Sequence, residues 1–234
     1  DWVLHVVDNS NGDERVRTRS IVDGFRSVLP IIYEESNMNI GFAGGHQQLF
    51  TQHDADLVQL VNPDTILSAE YVETMRNVFM NEDALGSASG LVLRWNWDGE
   101  EPDKTEVIDT LGLEVLTSGK VVDVTKYANE HPTAMVNTFG VSGCLPMYRR
   151  EAVEQSSFDG RLFDPEYVVY KEDVDLAHRL DAGGWSSATN PRAVAHHRRE
   201  FRSSKLHSDQ SRFTQFHSYR NHLWNLITHY SWIE

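Results

Sequence analysis

Three carboxylates, Glu172, Asp173 and Asp175, fall within four positions of the run Tyr170-Lys171-Glu172-Asp173-Val174-Asp175-Leu176. Acids set this close repel, so the fold must compensate them, and one of the group can hold its proton to unusually high pH. Such a group is suited to taking a proton from a hydroxyl near neutrality. Two further places offer ligand atoms. Asn62-Pro63-Asp64 sets two oxygen-bearing side chains two residues apart, which suits a divalent cation shared with phosphate oxygens, although all three residues also favour a plain turn. His196-His197 supplies imidazole, which would suit manganese better than calcium, and histidines are also ordinary surface residues. If these places converge with Asp8, their roles separate. Asp64 would hold a metal on a diphosphate, Asp8 would accept hydrogen bonds from a base or ribose, and Glu172 or Asp173 would act as general base. That is the chemistry of nucleotide-activated group transfer.

The elements that must position these residues follow from periodicity and turn residues. Trp2 to Val7 is apolar and β-rich, and it stops at the turn formers Asp8-Asn9-Ser10-Asn11-Gly12. Arg15 to Leu29 suits a helix closed by Pro30, and Ile31-Ile32-Tyr33 suits a second strand. From Asn37 to Gly45, three glycines predict a loop that turns sharply or lets backbone approach a ligand. Leu57 to Val61 reads as a third strand stopped by Asn62-Pro63-Asp64-Thr65, after which Ser68 caps a helix reaching Met80. Strand, helix, strand, helix, strand implies parallel pairing in a sheet covered on both faces. Ligands of such sheets bind beyond the carboxyl ends of the strands, where Asp8 and Asp64 fall.

Trp95 to Glu106 is polar and predicts a loop, while Leu113 to Leu116 and Val121 to Val124 predict a hairpin. Val136 to Val141 suggests a strand leading into Ser142-Gly143, and Ala193 to His197 a short strand after an Asn190-Pro191 turn. The acids open a helix: Val174, Ala177 and Leu180 recur at helical spacing until Gly183-Gly184, and the macrodipole favours acids in any first turn. Phe213, Phe216, Tyr219, Leu223, Trp224 and Ile227 also share helical spacing. Core packing is the expected role of that stripe, and a membrane-surface helix is the alternative.

A chain of 234 residues, 40% hydrophobic and 24% charged, is long enough for one large domain with a real core. A formal charge of −14 argues against the basic stripe that nucleic acid requires, so a phosphate ligand must be reached through a metal or a local basic patch. One locally basic stretch is either a solvated surface or a patch for diphosphate or anionic lipid head groups. Between Arg192 and Arg220 stand Arg198, Arg199, Arg202, Lys205 and Arg212 against only Glu200 and Asp209. The single Cys144 leaves no internal disulfide and fits a reducing compartment. No apolar run approaches the roughly 20 residues that cross a bilayer, and no signal peptide opens the sequence. A cytoplasmic protein is expected, with contact to the inner face of the cell membrane through the last helix as a further possibility.

Six segments, in order, resemble the glycosyltransferase family 2 enzymes of GT-A fold: Val6 to Ser10, Asn39 to Gly45, Leu60 to Thr65, Val141 to Cys144, Phe163-Asp164 with Tyr170 to Leu176, and Pro191 to His197. The resemblance spans nearly the whole chain and is nearest to bacterial rhamnosyltransferase-like members. It implies an α/β, Rossmann-like GT-A fold: a mostly parallel central sheet, helices on both faces and a small β-hairpin region. Residues 1–93 would form the nucleotide-sugar donor half, 94–197 the acceptor and catalytic half, and 198–234 the basic segment with an amphipathic helix. The implied activity is inverting transfer of a sugar from a nucleoside-diphosphate sugar, dTDP-rhamnose among the candidates, to a glycan or lipid-linked acceptor in cell-surface polysaccharide synthesis, with Mn2+ or Mg2+. By the same resemblance Asp8 and Asn9 bind the nucleotide, and Asn62 and Asp64 form the metal-binding acidic motif. His197, rather than His196, contacts metal or diphosphate. Gly44, Gly45, Ser142 and Gly143 line the donor and acceptor pocket, and Asp173 is the base with Glu172 beside it.

Two places depart from the family pattern. The sequence begins at what looks like the family's second strand, so its first strand and helix are expected to be absent and a sheet edge exposed. Gln47 stands where asparagine is usual. A catalytically silent nucleotide-sugar or glycan-binding relative is the alternative reading. A nucleotidyltransferase would need a basic glycine-rich loop near the N-terminus, which the sequence lacks.

Overall fold

The structure, a computed structural model, describes residues 2–97, 101–127, 131–198 and 212–230. Arg199, Arg202 and Lys205 of the basic segment lie outside the described residues, as do Glu200 and Asp209. Strands β1 (Leu4–Asp8) and β2 (Ile31–Glu35) pair in parallel from Leu4↔Ile31 to Asp8↔Glu35, with α1 (Gly12–Phe25) as the crossover. The helix α1 ends before Leu29 because the N–H groups of Val28 and Leu29 both turn back to the Phe25 carbonyl ahead of Pro30.

The glycine stretch corrects the expectation of a loop. Gly41 makes one sharp turn at φ +74° and opens α2 (Gly41–Gln52), with Gly44 and Gly45 inside the helix. A Cβ at Gly45 would lie 3.4 Å from the Asn9 side chain, so α2 packs directly on the end of β1.

The main sheet uses β3 (Leu57–Gln59), β4 (Thr65–Leu67), β5 (Leu85–Trp97), β6 (Pro102–Thr110), β9 (Val136–Thr138), β10 (Met147–Arg149) and β11 (Ser186–His197); β7 (Leu113–Val115) and β8 (Val121–Asp123) form the expected hairpin. Helices α3 (Tyr71–Asn81), α4 (Arg150–Gln155), α5 (Glu172–Ala182) and α6 (Arg212–His229) complete the described elements. The sheet order is β3-β10-β5-β11-β4, with β6 added to β5 and β9 to β11. The α/β class therefore stands, with mixed pairing: β5 and β11 are parallel, and the other pairs of this sheet are antiparallel. Contrary to the parallel order expected of the third strand, β3 is recruited by the distant β10. Successive residues of β10 point to opposite faces, so Tyr148 joins a core with Phe50, Phe163 and Leu176, and Met147 joins one with Tyr71, Phe79 and Val92. Helices thus cover both faces.

Three further expectations are corrected. Ser68 contributes its carbonyl to the Tyr71 N–H rather than a side-chain cap. The polar stretch from Trp95 is strand on both sides of residues 98–100: β5 runs to Trp97 and β6 starts at Pro102, pairing Trp95 with Lys104. Polar residues suit the solvated face of such an antiparallel pair. Asn190-Pro191 is no turn but an irregularity within β11, whose register against β5 shifts between Asn190 and Val194.

The helix α6 inverts the expected amphipathicity. Phe216, Tyr219 and Ile227 are 59%, 68% and 65% exposed, whereas Asn221 and Asn225 are 0% and 2% exposed. Of the apolar stripe, Trp224 packs on the core, edge-on to Tyr167. The asparagines are drawn inward by carbonyls described below.

At the β11 irregularity the buried Tyr71 hydroxyl accepts the Gly90 N–H at 2.8 Å, and a Cβ on Gly90 would sit 2.2 Å from the Ala193 carbonyl oxygen. Tyr71→Phe leaves that N–H buried without a partner. Urea unfolding of the variant is expected to show a loss of about 1–3 kcal/mol.

Candidate active site

The residues singled out from sequence fall into three groups. In the first, Asp8 ends β1, buried. Its Oδ1 accepts the Ser10 N–H at 2.8 Å and the Ser10 hydroxyl at 2.5 Å, and its Oδ2 accepts the Tyr33 hydroxyl at 2.6 Å. Burial works to raise its pKa, but these hydrogen bonds outweigh it and hold the carboxyl below its ordinary value. Much of the acceptor capacity expected for a nucleotide is thus already engaged within the protein. Asn9 donates to the Gly41 carbonyl at 3.0 Å, tying this group to the start of α2. Gln47 accepts the N–H groups of Leu162 and Phe163 at 2.8 and 3.1 Å, so the residue that departs from the family pattern anchors α2 to the segment before the acids.

The second group forms where β4, β11, β5 and β6 lie side by side. Asp64 stands in the turn before β4 with its side chain half open to solvent, its Oδ1 3.3 Å from His197 Nε2. The opposite ring nitrogen, Nδ1, lies 2.9 Å from Oδ2 of the buried Asp109, which Arg94 also meets at 3.3 Å. Burial would lower the His197 pKa; the hydrogen bonds to Asp109 and Asp64 reverse that and raise it to about 9. Asp64 is correspondingly lowered despite its own burial. Cys144 joins the cluster, with ligand atoms of Asp109, Cys144 and His197 all within 4.8 Å of one another. The Asn62 N–H donates to the Cys144 carbonyl at 3.1 Å and its carbonyl accepts the Thr65 N–H, which shapes the turn holding Asp64. His196 is not part of this cluster as described; it faces Lys104 and Glu106.

These donors suit a divalent cation. One imidazole nitrogen faces an accessible carboxylate while a buried carboxylate orients the ring from behind, the usual support for a metal-binding histidine. Asp109 was missed in the sequence because it lies 88 residues from its partner and nothing local marks it.

The third group is the acid run, and each carboxylate has its own environment. Asp175 is compensated outright, by Arg179 at 2.9 Å and His229 at 2.8 Å. Asp173 accepts the Gly143 N–H at 2.9 Å through Oδ2 and the Val174 N–H at 2.8 Å through Oδ1. Glu172 is buried and its Oε2 has no hydrogen-bond partner. Burial, then the neighbouring Asp173 charge, pushes the Glu172 carboxyl up to about 8; Asp173 is also raised by burial, against the pull of Gly143. Ser142 is buried beside Gly143, where an added Cβ would sit 3.5 Å from both Asp173 and Glu172.

The backbone leading to this pair is strained. Val168, Tyr170 and Lys171 have φ of 62°, 69° and 70°, which costs L-residues roughly 1–2 kcal/mol each. The Val168 carbonyl accepts the Ala43 N–H at 3.0 Å, and a Cβ on Gly41 would lie 2.6 Å from that oxygen. Gly41 is therefore needed for this close approach. The turn joins the first group to the third, and the Asn62–Cys144 hydrogen bond joins the second to it.

No protein-family model matches the chain, and no curated protein sequence matches it. Solved structures do. GalNAc-T7, crystallised with UDP, GalNAc and Mn2+, matches with a TM-score of 0.72 at 10% identity over 96% of this chain and 41% of its own. Residues 1–349 of S. aureus TarS match at 0.56 and 13% identity, over 84% of this chain and 51% of that one. The mannosyltransferase PcManGT from Pyrobaculum calidifontis, in complex with GDP-Man and Mn2+, matches at 0.55 and 12%, over 86% and 49%. At such identities the likeness is one of fold. The chain has the GT-A glycosyltransferase fold, and it spans about half or less of the length of these structures.

The Glu172 environment gives a pH prediction. Its folded-state pKa lies above the unfolded value of 4.5, so neutral Glu172 contributes stability that is full below 4.5 and lost as pH rises through about 8. Glu172→Gln keeps the neutral form throughout. In urea unfolding at several pH values, its stability relative to wild type is expected to rise between those two values and then level off. A pH-independent difference would mean that Glu172 is not held protonated.

Proposed function

We propose that the chain is a metal-dependent glycosyltransferase domain that moves a sugar from a nucleoside-diphosphate donor to an acceptor hydroxyl, with inversion. The observation that carries this reading is the pairing of Asp64 with His197 at one edge of a GT-A sheet whose structural neighbours were crystallised with nucleotides and Mn2+. Asp64 and His197 would hold the cation, with Asp109 orienting the ring. Bound there, a divalent cation offsets charge on the departing diphosphate. Asn62 would shape the same turn, and Asp8, Asn9, Gly44 and Gly45 would lie toward the nucleotide.

Asp173, with two N–H donors favouring its anionic form, would take the proton from the acceptor hydroxyl as that oxygen attacks the anomeric carbon. The bond from that carbon to the diphosphate oxygen breaks on the opposite face, and the nucleoside diphosphate leaves. Glu172, neutral near pH 7, would stand beside Asp173 as a hydrogen-bond donor. Ser142 and Gly143 would border the acceptor. A groove of about 450 Å³ between the β7–β8 hairpin and β9, lined by Leu113, Glu114, Tyr127, Asn137 and Phe139, supports an acceptor site in residues 94–197. Family 2 membership, a rhamnosyl donor, a lipid-linked or glycan acceptor and a role in polysaccharide synthesis belong to this reading through the motif resemblance. Among the described residues no helix is long and apolar enough to cross a membrane. The exposed Phe216, Tyr219 and Ile227 would serve a peripheral membrane contact.

Calorimetric titration of UDP, GDP and dTDP with and without Mn2+ tests the donor site. One nucleotide is expected to bind with metal, and Asp64→Ala is expected to remove that binding, weakening it by about 100-fold or more. With the sugar conjugates of that nucleotide, Asp173→Asn should abolish transfer while leaving nucleotide affinity intact. Unchanged transfer would reject Asp173 as the base. Metal-dependent binding without any transfer by the wild type would favour the silent binding relative.

A further inference from the structure

The acid pair is held from outside its own helix. Asn221 directs its side-chain amide at three carbonyls of the strained turn, those of Tyr167 and Val169 at 2.9 Å and Tyr170 at 2.7 Å. One turn further along α6, Asn225 donates to the Lys171 carbonyl at 3.1 Å, and its own oxygen accepts the Tyr167 hydroxyl. Arg220 adds a hydrogen bond to the Glu166 carbonyl at 2.6 Å. The Lys171 carbonyl also accepts the Asp175 N–H of α5 and the Tyr167 carbonyl the Val169 N–H, so the carbonyls that depend on Asn221 are those of Val169 and Tyr170.

Burial energy alone would have turned α6 the other way. The helix exposes Phe216, Tyr219 and Ile227 and buries two asparagines, an orientation that makes sense only if the carbonyls need donors. The segment that the asparagines hold contains Val168, Tyr170 and Lys171, whose positive φ delivers Glu172 and Asp173 to the first turn of α5. From the other side, Ala43 and the space at Gly41 complete the hold on Val168.

We infer that Asn221 and Asn225 are positioning residues for the acid pair: by holding the Val168–Lys171 turn in its left-handed form, α6 sets where Glu172 and Asp173 stand relative to Gly143. The inference rests on the glycosyl-transfer reading for its functional meaning and on the hydrogen-bond geometry for its substance.

The test follows the side-chain carboxyls by 13C NMR titration, with Glu172→Gln to assign the Glu172 signal. In wild type that signal is expected to titrate at about 8. In Asn221→Ala the turn relaxes and water reaches the pair, so the midpoint is expected to fall by about one pH unit or more. Adding Tyr170→Gly should restore it, because glycine takes a positive φ without the clamp. A merely structural role would lower the melting temperature and leave the midpoint in place. An unmoved Glu172 midpoint in folded Asn221→Ala overturns the proposal. Should that variant not fold, Asn225→Ala, which removes one of two donors to the Lys171 carbonyl and the acceptor of the Tyr167 hydroxyl, is read by the same criterion. The two readings fail separately: an unmoved midpoint beside intact Mn2+-dependent nucleotide binding sinks the positioning role alone. A moved midpoint without nucleotide binding supports the positioning of the pair and sinks glycosyl transfer.

Discussion

The parallel pairing of β5 with β11 is the constraint on which the other groups depend. It runs from Leu85 to Arg94 on one strand and from Ser186 to His197 on the other, and it places β4 and β6 on opposite flanks of the pair. The histidine at its end consequently meets Asp64 from the β4 side and Asp109 from the β6 side. Shifting the register by one residue would turn His197 to the other face and substitute His196. The irregularity between Asn190 and Val194, fitted by Gly90 and the Tyr71 hydroxyl, therefore helps decide which of two adjacent histidines faces the acids.

The two acidic centres solve the same problem by opposite means. At Asp64 negative charge is met by a protonated ring that Asp109 supports from behind, so Asp64 stays ionised and open toward solvent. At Glu172 and Asp173 little positive charge is supplied and burial dominates, so both carboxyls are raised and Glu172 keeps its proton near pH 7. One sheet thus carries an ionised acid beside an imidazolium and a buried acid pair that favours the neutral carboxyl. Asp175, only two residues from Asp173, is spent on structure through Arg179 and His229.

Local pattern revealed what local physics determines. The β-rich start, the first-turn acids of α5, the 113–124 hairpin and the histidine at the end of a late strand could all be read from spacing and turn residues. What escaped depends on partners distant in sequence. Gly44 and Gly45 suggest a loop until they are seen inside α2, Gly44 close against Ile40 and Gly45 beside Asn9. Trp95 to Glu106 is polar because one face of the β5–β6 pair is wet, and polarity alone cannot separate that from a loop. The inversion of α6 runs against the hydrophobic pattern itself, since carbonyl groups some fifty residues earlier outweigh an aromatic stripe.

That separation along the chain has a temporal meaning. Asn221 reaches back 51 residues to Tyr170, and Asn225 reaches back 54 to Lys171. The sheet and the Asp64–His197 pair use only residues up to 198, and of the two cores the one around Tyr148 takes only Trp224 from α6, so during synthesis they can begin to assemble while α6 is still inside the ribosome. The acid pair is organised last, when the asparagines emerge. A nascent chain can therefore complete the Asp64–His197 pair before the turn ahead of Glu172 and Asp173 has its clamp.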